Sequence, residues 1–112
     1  MKLKEIGGYF GLEQFNNREY YSDLIAVNSA RNALVYLLRA RKIKKVYLPY
    51  FLCESVSKVC AREKCDYEYY SIDKKLLPVF SKSLSESEYL YVVNYYGQLK
   101  DRNILNLKKA FQ

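Results

Sequence analysis

Three short runs in this sequence combine residue types that could hold a charged, planar ligand. The first is Asn28-Ser29-Ala30-Arg31-Asn32. Asparagine and serine ahead of an apolar-periodic stretch are helix N-cap residues, and the turn they open presents free backbone N–H groups and partial positive charge. That suits a phosphate; the same residues would equally cap an ordinary core helix. The second run is Leu48-Pro49-Tyr50-Phe51-Leu52-Cys53. Its aromatics offer flat faces to a ring, or simply core packing. The third is Val93-Asn94-Tyr95-Tyr96-Gly97-Gln98, where amides and phenols follow an apolar stretch. In open α/β sheets, ligands gather beyond the carboxyl ends of strands, although a plain strand-ending turn would use the same residues.

Other chemistries are poorly served. The chain has no histidine, so neither a Ser-His-Asp nor a Cys-His arrangement can be built from it alone. Its three cysteines, Cys53, Cys60 and Cys65, form no CxxC pair, and with carboxylates they make a poor zinc set, so no metal is expected. Cys53 and Cys60 lie seven residues apart on an expected helix, which puts them on one face as core residues. The formal charge of +7 is scattered. Its densest run, Arg39–Lys45, falls where a helix should end and complements the helix dipole. A solvated basic surface is expected, with no nucleic acid. The first five residues carry no apolar leader, and no run approaches the ~20 apolar residues of a membrane span. A reducing, cytoplasmic setting without membrane contact is expected.

The elements that would position these runs follow from periodicity. Residues 1–24 read as an irregular N-terminal segment, with glycines at Gly7, Gly8 and Gly11; Leu24–Val27 reads as a brief strand. Ala30, Ala33, Leu34, Leu37 and Leu38 form the stripe of a core-facing helix over Ser29–Arg41. Lys44–Leu48 reads as a strand stopped by Pro49, and Cys53–Arg62 as a helix. Asp66–Ile72 reads as a strand and residues 73–88 as a loop. Tyr89–Asn94 is apolar enough for a strand buried on both faces, and Ile104–Phe111 is expected to be helical. Alternating strands and helices predict an α/β fold, mainly a parallel sheet with helices on both faces.

In this order and spacing the three runs resemble the N-terminal third or so of the DegT/DnrJ-type aminotransferases, over about residues 6–98. These are fold-type-I, aspartate-aminotransferase-like enzymes dependent on pyridoxal 5'-phosphate (PLP). The resemblance implies that residues 25–112 are an incomplete N-terminal part of the large PLP-binding domain. Asn28–Leu34 is similar to the turn whose amides and hydroxyl hold the PLP phosphate, with Ala30 where the family commonly has glycine. Ser29, Ala30, Arg31 and Asn32 are thereby implied as cofactor-binding. Leu48–Val56 resembles the segment that passes beside the cofactor ring; the stacking position falls at Cys53, with Phe51 or Tyr50 as the nearby aromatics. Asn94, Tyr96 and Gln98 resemble the family's His-Leu-Tyr-Gly-Gln segment on the substrate side, Asn94 standing where the histidine would be.

The same resemblance places two essential groups further along the chain than these runs. One is the lysine that anchors the cofactor; the other is the aspartate facing its pyridine nitrogen. Lys108 and Lys109 read as a solvated helix end, so this chain alone is expected not to transaminate. For the parent protein the family implies an amino donor, a keto sugar nucleotide as acceptor and a homodimer. Two other readings stay open: a small non-catalytic α/β module (or degenerate paralogue) that binds a phosphate-bearing ligand, and an interaction domain with a tyrosine-rich partner surface.

Overall fold

The computed structural model describes residues 21–111; residues 1–20 of the irregular segment expected over residues 1–24, with its three glycines, lie outside them. Chain order is α1 (Ala30–Ala40), β1 (Lys45–Pro49), α2 (Glu54–Arg62), β2 (Asp66–Ile72), β3 (Pro78–Val79), β4 (Glu88–Leu90), a 3-10 turn (Tyr95–Gly97) and α3 (Asp101–Ala110).

Helix α1 begins where its cap requires. Ser29 is extended (φ −160°, ψ 154°), and its hydroxyl accepts the Asn32 N–H at 3.2 Å, satisfying one of the orphan donors of the first turn. Leu34 and Leu38 are buried, and Val35 packs beside them. At the other end Lys42 turns left-handed (φ 52°). The Ile43 N–H then reaches back to the Leu38 carbonyl at 3.0 Å, and the Lys42 N–H to Arg39 at 3.3 Å. This is a Schellman ending, which brings the Ile43 and Leu38 side chains together in the core.

The sheet order is β3-β2-β1-β4. Strand β1 pairs in parallel with β2 and β4, while β3 runs antiparallel to β2. The α/β class is therefore as expected, but the sheet is mixed, because part of the expected 73–88 loop folds back as β3. Alternation along β1 divides its two faces. Val46 and Leu48 meet Leu34, Leu38, Val59 and Cys60 under α1 and α2. On the opposite face Phe80 packs edge-on against Tyr47 at 4.8 Å, Tyr70 at 6.0 Å and Phe111 at 5.5 Å. That face is covered by an aromatic cluster; α3 buries no residue and reaches the cluster through Phe111 at its end.

Several expected boundaries move. Leu24–Val27 is an exposed bend and irregular chain, and no strand among the described residues pairs with it. Helix α2 starts at Glu54, since Cys53 is its extended N-cap (φ −64°, ψ 134°). Helix α3 starts at Asp101, where Asn103 Oδ1 accepts the Lys100 N–H at 3.2 Å. The Tyr89–Asn94 strand shrinks to Glu88–Leu90 and is an edge strand with half-exposed residues.

Two partly buried carboxylates tie elements together. Glu63, the residue that ends α2, receives a two-pronged bond from Arg39 of α1 at 2.7 and 3.1 Å. Glu68 of β2 lies between Lys82 and Lys45. The Arg39 bond holds the Glu63 carboxyl below its usual range, and the Lys82 and Lys45 bonds do the same for Glu68. A depressed folded-state value contributes stability above the unfolded value of ~4.3, which is lost as pH falls through the folded value. Thermal melts between neutral pH and pH 3 should therefore show an acid loss that Glu63→Gln makes shallower. An unchanged acid limb would show that the Arg39 pair contributes nothing.

Candidate functional site

The carboxyl edge of the sheet holds a crevice whose position follows from topology. From β1 the chain passes through α2 to β2 on one side, whereas β4 lies on the other side of β1. Such a reversal splays apart the segments that leave the two adjacent strands, and ligands of open α/β sheets bind there. Here the segment after β1, Tyr50–Cys53, and the segment after β4, Val93–Tyr96, line one open cavity of about 550 Å³.

The cavity brings together Phe51, Cys53, Asn94 and Tyr96, four of the residues expected from sequence. Tyr95 clamps its two walls. Its ring stacks on Phe51 with centroids 5.2 Å apart and planes 19° from parallel, and its hydroxyl donates to the Phe51 carbonyl. Sequence reasoning passed over Tyr95; the only signal was its place between two residues already singled out. Burial first, and then the charge of Tyr91, raises the Tyr95 phenol, so it acts as a donor at neutral pH. Tyr96 is 81% exposed. Both it (φ 54°) and Gly97 (φ 66°) are left-handed, and this double turn projects the Tyr96 ring at the rim.

Other expected residues are diverted. Asn94 Oδ1 accepts the Leu99 N–H at 2.8 Å, which leaves its amide N–H₂ for a ligand. Gln98 ends the 3-10 turn, is exposed, and does not line the cavity. Asn32 turns its side-chain amide back onto Asn28 Oδ1 at 2.5 Å, and its backbone N–H is held by Ser29. At the start of α1 the amides without an intrahelical acceptor are therefore those of Ala30 and Arg31.

Cys53 corrects an expectation. It is exposed, not a core partner of Cys60, because it precedes the helix and so escapes its periodicity. Ser55, through side chain and amide, holds the Cys53 thiol below its ordinary range, and the Arg31 charge adds to this, although no side-chain hydrogen bond caps α2. The start of α2 lines the β1 side of the crevice through Cys53, and the Arg31 charge is felt at that thiol, which biases this wall toward an anion.

A larger groove of about 820 Å³ separates residues 83–92 from α3. Leu84, Leu90, Val92, Ile104 and Leu107 line it, and none of the residues expected at a site does. Among the described residues no helix is long and apolar enough to cross a membrane, and no group of three His, Cys, Asp or Glu side chains is placed to hold a metal. Comparison of the chain with protein-family models, curated proteins and solved structures finds no match.

Proposed function

We propose that this chain is the N-terminal, phosphate-binding part of a PLP-dependent aminotransferase of the large-domain, fold-type-I kind. The observation that carries the reading is the crevice where strand order reverses, with the start of α2 in its wall and the Arg31 charge felt at Cys53. The residues present fit the cofactor's phosphate. The Ala30 and Arg31 amides would hold it, the Ser29 hydroxyl retains a proton to donate, and the Arg31 guanidinium supplies charge. They fit the ring less well, since Cys53 stands at the stacking position and one face of Phe51 is taken by Tyr95. When bound, the cofactor supplies the electron sink for amino-group exchange; the lysine that anchors it comes from elsewhere in the parent protein. A keto sugar nucleotide, an amino donor and a homodimer belong to the same reading. A second reading, a phosphate-binding α/β module or degenerate paralogue without chemistry, is favoured by the diversion of Asn94 to Leu99 and by Cys53 in place of an aromatic.

The probe is pyridoxamine 5'-phosphate, whose amine cannot condense with surface lysines, titrated beside unphosphorylated pyridoxamine. Backbone amide shifts at Ala30, Arg31 and Cys53 are expected with the phosphorylated compound only. Ala30→Pro sharpens the test. Proline is tolerated at the first helical position, and the extended Ser29 before it suits a following proline. The helix should persist while one N–H is lost, weakening binding ~10-fold through loss of a charge-assisted bond worth ~1.5 kcal/mol. Equal binding of both compounds, or an Ala30→Pro chain that binds as well as the original, would sink the cradle.

A further inference from the structure

Helix α2 ends as α1 does, but with cysteines at the two positions that the ending presses together. Lys64 is left-handed (φ 56°). The Cys65 N–H returns to the Cys60 carbonyl at 2.9 Å and the Lys64 N–H to Ala61 at 3.1 Å. This is again a Schellman ending, whose first and last side chains meet. In α1 the two residues are Leu38 and Ile43; in α2 they are Cys60 and Cys65, both in the core cluster. There the Cys65 thiol donates to the Asp66 carbonyl at 3.5 Å. With standard bond lengths, the 2.9 Å backbone bond keeps the two Cα atoms within roughly 6.8 Å, inside the window that a disulfide accepts.

The two thiols differ in access. Cys60 is fully buried, while Cys65 is 5% exposed. Cys65 also lines a shallow open cavity of about 520 Å³ with Lys45, Ala61, Lys64, Asp66 and Tyr67. Lys45, which is paired with Glu68, and Lys64 and Asp66 are its charged groups, so Lys64 is the cation left to meet an anionic visitor.

We propose that Cys60 and Cys65 are a redox-active dithiol that closes to a disulfide within the turn joining α2 to β2, with an anionic low-molecular-weight disulfide such as oxidised glutathione as oxidant. Cys65, as thiolate, attacks one sulfur of the oxidant; that S–S bond breaks, a mixed disulfide forms on Cys65, and the first glutathione leaves as thiolate. Cys60, as thiolate, then attacks the Cys65 sulfur and expels the second glutathione. The protein dithiol loses two electrons and two protons, the oxidant is reduced to two thiols, and the protons pass to the departing thiolates. The bond would fasten the end of α2 to the start of β2 within the core cluster that both cysteines help to form.

The chemistry should be slow at neutral pH. Burial first, then the neighbouring Cys60 and Asp66, pushes the Cys65 thiol up to about 11, and burial raises Cys60 as well. Lys45 and Lys64 face the same cavity as cations. Below that value the thiolate fraction, and hence the rate of closure, should rise ~10-fold per pH unit.

The test uses the full chain in a Cys53→Ser background, incubated under native conditions with oxidised glutathione and mapped by peptide mass spectrometry. The expected product is an intramolecular Cys60–Cys65 link that forms faster with pH and reverts with dithiothreitol. Cys60→Ser in the same background should stall as a glutathione adduct on Cys65. If that variant fails to fold, the unsubstituted pair still decides. A link that forms only in denaturant would overturn the proposal, as would attachment of glutathione at Cys60 instead, or no reaction between pH 7 and 9.

Discussion

Leu48→Ala is expected to lower the stability of the chain by ~2–5 kcal/mol, the usual cost of emptying a leucine site in a core that cannot collapse. Leu48 has no solvent exposure. It stands on β1, among the described residues the one strand paired on both sides along most of its length, and it packs among Leu34, Leu38, Val59 and Cys60. Those neighbours are held by two helices and a ladder, so little can move into the space. Leu37→Ala makes the contrast. It removes the same atoms from α1, but at a position 51% exposed, and a change within ~0.5 kcal/mol is expected. Urea melts of both variants check this. Similar losses in the two would mean that β1 is not the centre of the packing. The site should feel the first substitution and not the second, because Leu48 leads through Pro49 into the Tyr50–Cys53 wall of the crevice.

That contrast also shows how far sequence alone reaches. The stripe Ala30–Leu38 announces α1, and Ser29 its cap, because amphipathic spacing and capping are local signals. The stripe does not say that Leu37 faces water while Ile43, beyond the helix, packs into the core. That follows from the left-handed Lys42, which reverses the chain and which no glycine marks. The same blindness affected the cysteines. Spacing paired Cys53 with Cys60 on one helical face, whereas the fold pairs Cys60 with Cys65 across a Schellman turn. At the candidate site, the residues Phe51, Cys53, Asn94 and Tyr96 were legible as motifs. Their meeting in one cavity was not, since it depends on β4 crossing to the far side of β1. Asn32 and Gln98 lie apart from the cavity: a neighbouring asparagine takes the Asn32 amide, and the 3-10 turn holds Gln98 outside the lining.

Tyr70→Phe is the second large effect, and it originates in a proline. In the β1–β4 ladder the Tyr91 N–H donates to the Tyr47 carbonyl at 2.9 Å. The pattern of a parallel ladder then directs the Tyr91 carbonyl at the amide of residue 49. Pro49 has no N–H to give, so pairing stops and β4 ends short of the Asn94 that its apolar run suggests. The orphaned carbonyl is met from the other side of β1. The Tyr70 hydroxyl, on β2 opposite Pro49, donates to Tyr91 O at 2.7 Å. Burial, and secondarily Tyr95, raises the Tyr70 phenol far above neutrality, so this donor is kept. Removing the hydroxyl leaves a half-buried carbonyl without a partner, a cost of ~1–3 kcal/mol. It should also free the Val93–Tyr96 wall, seen as faster amide exchange at Tyr91 and after it. Tyr69→Phe, at a 37% exposed neighbour, should do neither. A double-mutant cycle separates this account from simple loss of packing. Pro49→Ala restores an N–H where the ladder wants one, so Tyr70→Phe should cost less in that background, by ~1 kcal/mol of coupling. Strict additivity would mean that the Tyr70 hydroxyl does not stand in for the missing amide, and the shortening of β4 would need another cause.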